Sequence, residues 1–312
     1  MKILVAGIAG FIGSHVGQRM LDDGHDVVGV DNFSAGRPDA VPDGVMFFDG
    51  DLSDPDFYDA LPEDIDVILH IAGHASGSHS HNIPLEDLME NTGSTINLIK
   101  FGIKIGAKRL VLASSTTVYG DQNKDGVVHE YMSGDPLTCY ANAKYAAERY
   151  LRIFQDQLPF IIFRMPNVYG PGQYYPGTPP RGMVAVFLGK ALEGEKIQVM
   201  GSPDRFRDFI EVGDVADAWS RAVMTDRADG QTLNLGTGRK TYIRELLETI
   251  QNITPGSEWF VEGSTPGDQL GVYPDVSSIK KYLGFEAKIT LHQGLTRFAD
   301  WAREKIKIAQ KS

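Results

Sequence analysis

Apolar and polar residues follow two rhythms along this chain. KILVAG, DVVGVD, VMFFDGDL, DVILHIAG and RLVLASS are short apolar runs rich in β-favouring residues, the pattern of strands. Helical spacing fills the gaps: through about residue 23 after the first run, from about 84 to 106 between the fourth and fifth, and across CYANAKYAAERYLRIF after the fifth. Strands and helices therefore alternate, which predicts an α/β fold with a parallel, doubly wound sheet of the Rossmann type. Past Gly170 the alternation loosens. GPGQYYPGTPPRG, with Pro171, Pro176, Pro179 and Pro180, reads as a loop, a wall or lid for a ligand, with Arg181 either an anion contact or a surface residue. MVAVFLGKALEG, DVADAWSRAVMT and TYIRELLETIQ read as helices, KIQVMG and TLNLGTG as strands, and Leu291, Leu295, Phe298 and Ala302 mark the core face of a last helix.

The first strand runs into Gly7-Ile8-Ala9-Gly10-Phe11-Ile12-Gly13 and then a helix. Glycines in this context allow a tight turn, close approach of a pyrophosphate and packing of helix on strand, and the helix start supplies unpaired N–H groups. The second strand ends in Asp31, followed by Asn32. A carboxylate there accepts hydrogen bonds from an adenosine ribose and repels a 2′-phosphate, which favours NAD over NADP. Asp51 and Leu52, at the end of the third strand, fall where an adenine edge lies in such folds.

Composition narrows the field. The chain has 312 residues, enough for two domains, and a formal net charge of -11, which argues against a nucleic-acid-binding surface. The lone Cys139 excludes an internal disulfide and fits a reducing compartment. No run approaches the roughly 20 apolar residues of a membrane span and nothing resembles a signal peptide, so a cytoplasmic protein is expected. Four of the eight histidines, His70, His74, His79 and His81, crowd one Gly/Ser-rich stretch. Their spacing matches no common zinc pattern, so no metal is expected and the stretch reads as a ligand-facing or solvated loop.

The fifth strand ends in Ser114-Ser115-Thr116-Thr117, at the sheet edge where ligands of parallel folds bind. About 25 residues on, Tyr140 and Lys144 stand four apart on a helix and share one face. A nearby cation lowers a phenol's pKa towards that of a working base, and Ser115 is placed to orient a carbonyl or sugar oxygen beside it.

G-x-x-G-x-x-G, the terminal Asp31, SSTTVYG and Y-x-x-x-K, in this order, resemble the extended short-chain dehydrogenase/reductase family, and within it the nucleotide-sugar 4-epimerases acting on UDP-glucose, UDP-N-acetylglucosamine or UDP-glucuronate. FRMPNVYGPG, RDFIEVGDVADA, NLGTG and the closing LGFEAKITLHQGLTRFADW extend the likeness over nearly the whole chain. The resemblance implies Tyr140 as base, Lys144 as its partner on the nicotinamide ribose and Ser115 as orienting hydroxyl, with Thr117 beside the sugar. It implies NAD held by Gly7, Gly10, Phe11, Ile12, Gly13, Asp31, Asn32, Asp51, Leu52 and Asn91, and a substrate diphosphate held near Asn167 and Arg207. The implied reaction is redox-neutral: Tyr140 takes the proton of the sugar 4-hydroxyl while C4 is oxidised, and the 4-keto sugar turns over and is reduced on its other face.

Family dehydratases carry an acidic pair, and decarboxylases a glutamate, where this chain has Thr116 and Thr117, which points to epimerisation or simple ketone reduction. A non-catalytic NAD-binding regulator would have no use for Ser115, Tyr140 and Lys144 together. Thr265 stands where the family often has a second diphosphate-binding arginine, and the small Gly271 and Val272 are expected to leave room for a bulky sugar substituent. The resemblance also implies a cofactor domain over residues 1–165, a mainly substrate-binding domain over 166–312 with segments returning to the first, and a homodimer built on helices near 92–104 and 140–155.

Overall fold

The computed structural model describes residues 1–75, 80–121, 126–174, 176–178, 181–263 and 270–310; His79, Pro179, Pro180 and Thr265 lie outside the described residues. The cofactor half alternates as the apolar runs predict: β1 Lys2–Ala6, α1 Phe11–Asp22, β2 Asp26–Asp31, β3 Met46–Asp49, β4 Val67–His70, α2 Pro84–Leu88, α3 Ser94–Ile105, β5 Arg109–Ser115, the short β6 Val127–Val128, α4 Cys139–Ile153 and β7 Phe160–Met165. The stretch expected as one helix from about 84 to 106 is interrupted by a π turn, Met89–Gly93, and stops at Gly106, whose φ of 68° is one that glycine adopts without strain. Thr138 caps α4, its hydroxyl accepting from Ala141 N at 3.1 Å.

The second half contributes β8 Asn167–Tyr169, α5 Met183–Leu192, β9 Ile197–Val199, β10 Phe206–Arg207, β11 Phe209–Glu211, α6 Val212–Val223, β12 Gln231–Asn234, β13 Thr241–Tyr242, α7 Ile243–Ile253, β14 Trp259–Val261, β15 Tyr273–Pro274, α8 Ser277–Leu283 and α9 Leu291–Ala309. Seven strands form the central sheet in the order β12-β7-β5-β4-β1-β2-β3, every neighbouring pair parallel. Its outermost strand comes from beyond residue 165.

Both faces of this sheet are buried, as an all-parallel sheet requires. Val16 and Met20 of α1, Val215 and Trp219 of α6 and Ile279 of α8 cover one face. Leu98 and Ile99 of α3 with Ala147 and Leu151 of α4 cover the other. A separate core joins α5, α7 and α9 through Leu188, Leu246, Leu295 and Phe298; Leu295, Phe298 and Ala302 are buried as the helical spacing predicts, with Leu291 packed at the margin.

Candidate active site

The strands present their carboxyl ends together, and the glycine turn lies inside the sheet's edge row because β1 is an interior strand, between β4 and β2. Gly7, with φ 89°, donates its N–H to Val30 O at 2.8 Å. A Cβ on Gly13 would stand 1.9 Å from Gly7 O, and one on Gly7 would stand 2.6 Å from Ala72 N, so backbone passes backbone with no room for a side chain. Phe11 and Ile12 open α1 immediately after. Gly13→Ala is therefore expected to push α1 off β1 and weaken NAD binding by about tenfold or more, as titration calorimetry would read; an unchanged affinity would remove this turn from the cofactor site.

Asp31 Oδ2 accepts from Ala9 N at 3.0 Å and its Oδ1 from Phe33 N at 2.9 Å. These bonds lock the carboxylate at the mouth of the turn, while burial, assisted by the charge of the adjacent Asp49, pushes its pKa up. Asn32 accepts from Ser34 N and stays exposed. Asp51, also exposed, accepts from Ser53 N at 2.8 Å. Leu52 is buried, and its carbonyl accepts from Tyr58 Oη and Asn97 Nδ2. The turn, Asp31 and Asp51 thus rim one side of the sheet's carboxyl edge, with glycines where a pyrophosphate would approach. The residues present fit a dinucleotide.

On the other side stand the catalytic candidates. Tyr140 begins the first turn of α4 and Lys144 the next. The Tyr140 phenol faces the Ser115 side chain, which holds its pKa down against burial, and Ser115 Oγ accepts from Thr117 Oγ1 at 2.9 Å and Thr117 N at 3.2 Å. Lys144 is 4% exposed. A Cβ on Gly73 would stand 2.3 Å from Asn91 Oδ1 and 3.0 Å from Lys144 Nζ, so the two polar atoms border one small space. In the protein alone the phenol is pushed up to about 12, burial outweighing Ser115, with the charge of Asp87 adding to the rise. Lys144 falls to about 8, again through burial and against the charge of Asp87. The lowering of the phenol expected from Lys144 is not found: burial and the charge of Asp87 raise it, and the side chain that lowers it is Ser115.

Asn167 pairs with Phe209 in the β8–β11 ladder and donates from N and Nδ2 to the carbonyl of Asp208, the residue that follows Arg207 at the end of β10. Arg207 is half-buried, lowered to about 10 by burial and then by the charge of Arg205. Arg181 is exposed. The small size of Gly271 has a local cause, since a Cβ there would stand 2.2 Å from Phe206 O; Val272 packs beside Val118 and Tyr119.

The histidines separate. His70 is buried at the end of β4, its Nε2 2.9 Å from Thr95 Oγ1, His74 faces Asp87, Nδ1 to Oδ1 at 3.5 Å, and His81 lies 3.6 Å from Cys139 Sγ. Two features escaped sequence reading. Asp87, fully buried beside Asn91, carried no motif. Glu148, also fully buried, is one further turn along the face of Tyr140 and Lys144, a spacing that could have marked it.

Comparison with known proteins agrees with this layout. Residues 3–236 match the NAD dependent epimerase/dehydratase family. A UDP-glucose 4-epimerase of Mycolicibacterium smegmatis is 33% identical over 98% of this chain and 99% of its own. UDP-glucuronic acid decarboxylase 1 of Xenopus tropicalis is 30% identical over 98% of this chain and 73% of its own. The crystal structure of UDP-glucose 4-epimerase from Thermotoga maritima, solved with UDP-glucose, superposes with a TM-score of 0.92 at 31% identity, over 98% of this chain and all of that one. With seven parallel strands, a glycine turn after an interior one and a family match over most of its length, this chain belongs to the NAD dependent epimerase/dehydratase family.

Proposed function

We propose that this protein epimerises a nucleotide-diphosphate sugar at C4 through a transient 4-keto sugar. One observation carries the reading: a phenol facing a strand-end serine, with a buried ammonium one turn along the same helix, at the carboxyl edge of a sheet whose glycine turn suits a dinucleotide. When bound, NAD supplies the oxidant for C4 and a positive charge that favours the phenolate. Tyr140 then takes the proton of the 4-hydroxyl and returns it after the ketone has turned over. Ser115, held by Thr117, donates to the sugar oxygen and keeps it within reach of the phenol. Lys144 fixes the nicotinamide ribose and, as an ammonium, stabilises the phenolate. Asn167 and Arg207 meet the diphosphate, a cation placed for an anion.

The decarboxylase likeness does not extend to this chemistry. Thr116 and Thr117 put no carboxylate at the strand end, so the site is equipped to move a proton and a pair of electrons at C4 and no further. Leu85, Leu88 and Met89 of the α2 segment and Tyr150 and Ile153 of α4 expose apolar side chains on neighbouring helices, which supports a homodimer through that surface. Among the described residues no helix is long and apolar enough to cross a membrane; with one cysteine in the chain, we infer a cytoplasmic enzyme.

Incubation with UDP-, dTDP- and GDP-sugars without added reductant is expected to yield the 4-epimer of one of them, read by chromatography. Stoichiometric accumulation of NADH, or consumption of NADPH, with no epimer formed would instead identify a sugar 4-oxidoreductase.

A further inference from the structure

The amide of Asn91 has one orientation that suits its neighbours. Its Nδ2 meets three acceptors, Asp87 O at 3.1 Å, Asp87 Oδ1 at 3.3 Å and His74 O at 3.3 Å. Acceptors gathered at one end of an amide fix which end is nitrogen. Asn91 Oδ1 is buried without a hydrogen-bond partner among the described residues and borders the same space as Lys144 Nζ. The residue that imposes this orientation is Asp87, 0% exposed on α2, with His74 against its Oδ1. A carboxylate withdrawn from water is costly unless a charge answers it; Lys144 is a cation that acts on Asp87, and the His74 ring lies against its Oδ1.

We propose that Asp87, backed by His74, is a positioning residue of the active site: it sets the orientation of Asn91 and supplies the counter-charge that keeps Lys144 an ammonium. The inference rests on the reading of Tyr140 as base and Lys144 as its partner. Its electrostatic side follows from the surroundings of the two groups. Lys144 is faced by His70 from β4 and by Asp87 from α2, while His74, from the loop that follows β4, stands against Asp87. Glu90, in the π turn, faces His74 and Asp51, and Tyr140 is faced by Ser115 and Asp87. Asp87 is the carboxylate whose charge reaches both Tyr140 and Lys144, raising each. Removing it makes proton loss easier at both.

Two variants test this. Asp87→Asn keeps the size and drops the charge, while His74→Arg keeps the carboxylate and sets a fixed positive charge against it. In NAD-loaded protein, the phenolate absorbance of Tyr140, taken as the difference from the matching Tyr140→Phe protein, is expected to titrate about one pH unit lower in both variants. The alkaline limb of the pH–rate profile, set by loss of the Lys144 proton, moves in the same direction. A merely structural Asp87 would change rates and leave both midpoints in place. If Tyr140 titrates in either folded variant where it does in the parent, the inference falls. If the titrations shift but no nucleotide sugar is turned over, the inference stands and the epimerase reading falls.

Discussion

Tyr140→Phe is expected to lower kcat by about a thousandfold or more while NAD binds as before. The substitution removes one oxygen. That oxygen faces Ser115, and the ring that remains keeps its half-buried place at the start of α4, so helix, strand and glycine turn have no reason to move. The loss is one of proton transfer, which positioned side chains accelerate by about 10² to 10⁴. Steady-state rates on the accepted sugar, with NAD affinity measured beside them, separate the two effects. Retained turnover would move the base elsewhere, and lost NAD binding would show that the phenol holds the cofactor.

The same tyrosine shows where sequence reading ends. What belongs to local patterns was legible: Lys144 at helical spacing from it, the glycines at the strand-to-helix junction and Asp31 at the tip of β2. The electrostatics were not, because they depend on what the fold packs around the pair. Lys144 was expected to lower the phenol, yet burial dominates both groups. Asp87 reaches them from a helix more than fifty residues upstream of Tyr140, and the interruption of that helix at Met89–Gly93, which carries Asn91, has no signature in the apolar spacing. Gly271 teaches the reverse lesson. Read as space for a sugar substituent, it is small because Phe206 O passes too close for any Cβ. TLNLGTG was legible as a strand, but its place beside β7 was not, since an edge position is settled by which neighbour has an unpaired side.

Glu148→Gln is expected to cost about 3–5 kcal/mol of stability, the range found when one partner of a buried ion pair is removed. Glu148 is 0% exposed and Arg164 3% exposed. Arg164 donates to the carboxylate from Nε at 3.0 Å and Nη2 at 2.6 Å, and Ser114 Oγ donates to it at 2.5 Å. Burial alone would depress the guanidinium, and the bonds and charge of Glu148 more than reverse that. The neutral amide leaves the guanidinium in the same low-dielectric place, 4.7 Å from the Tyr119 ring centroid, without its counter-charge. Natural domains hold only about 5–15 kcal/mol in reserve, so the midpoint of urea unfolding should fall steeply; a change below about 1 kcal/mol would mean that water reaches the pair. Replacing both partners by apolar residues, Glu148→Leu with Arg164→Met, should restore much of the loss, because an apolar pairing leaves no stranded charge. The consequence for catalysis follows from position. Glu148 is the next residue after Lys144 on the inner face of α4, and Ser114 precedes Ser115 on β5, so the Ser114–Glu148 hydrogen bond ties the helix that carries the phenol to the strand that carries Ser115, while Arg164 ties the same carboxylate to β7. The stabilised double variant should therefore recover folding more fully than kcat, since its apolar replacement packs the helix without fixing its register against Ser115.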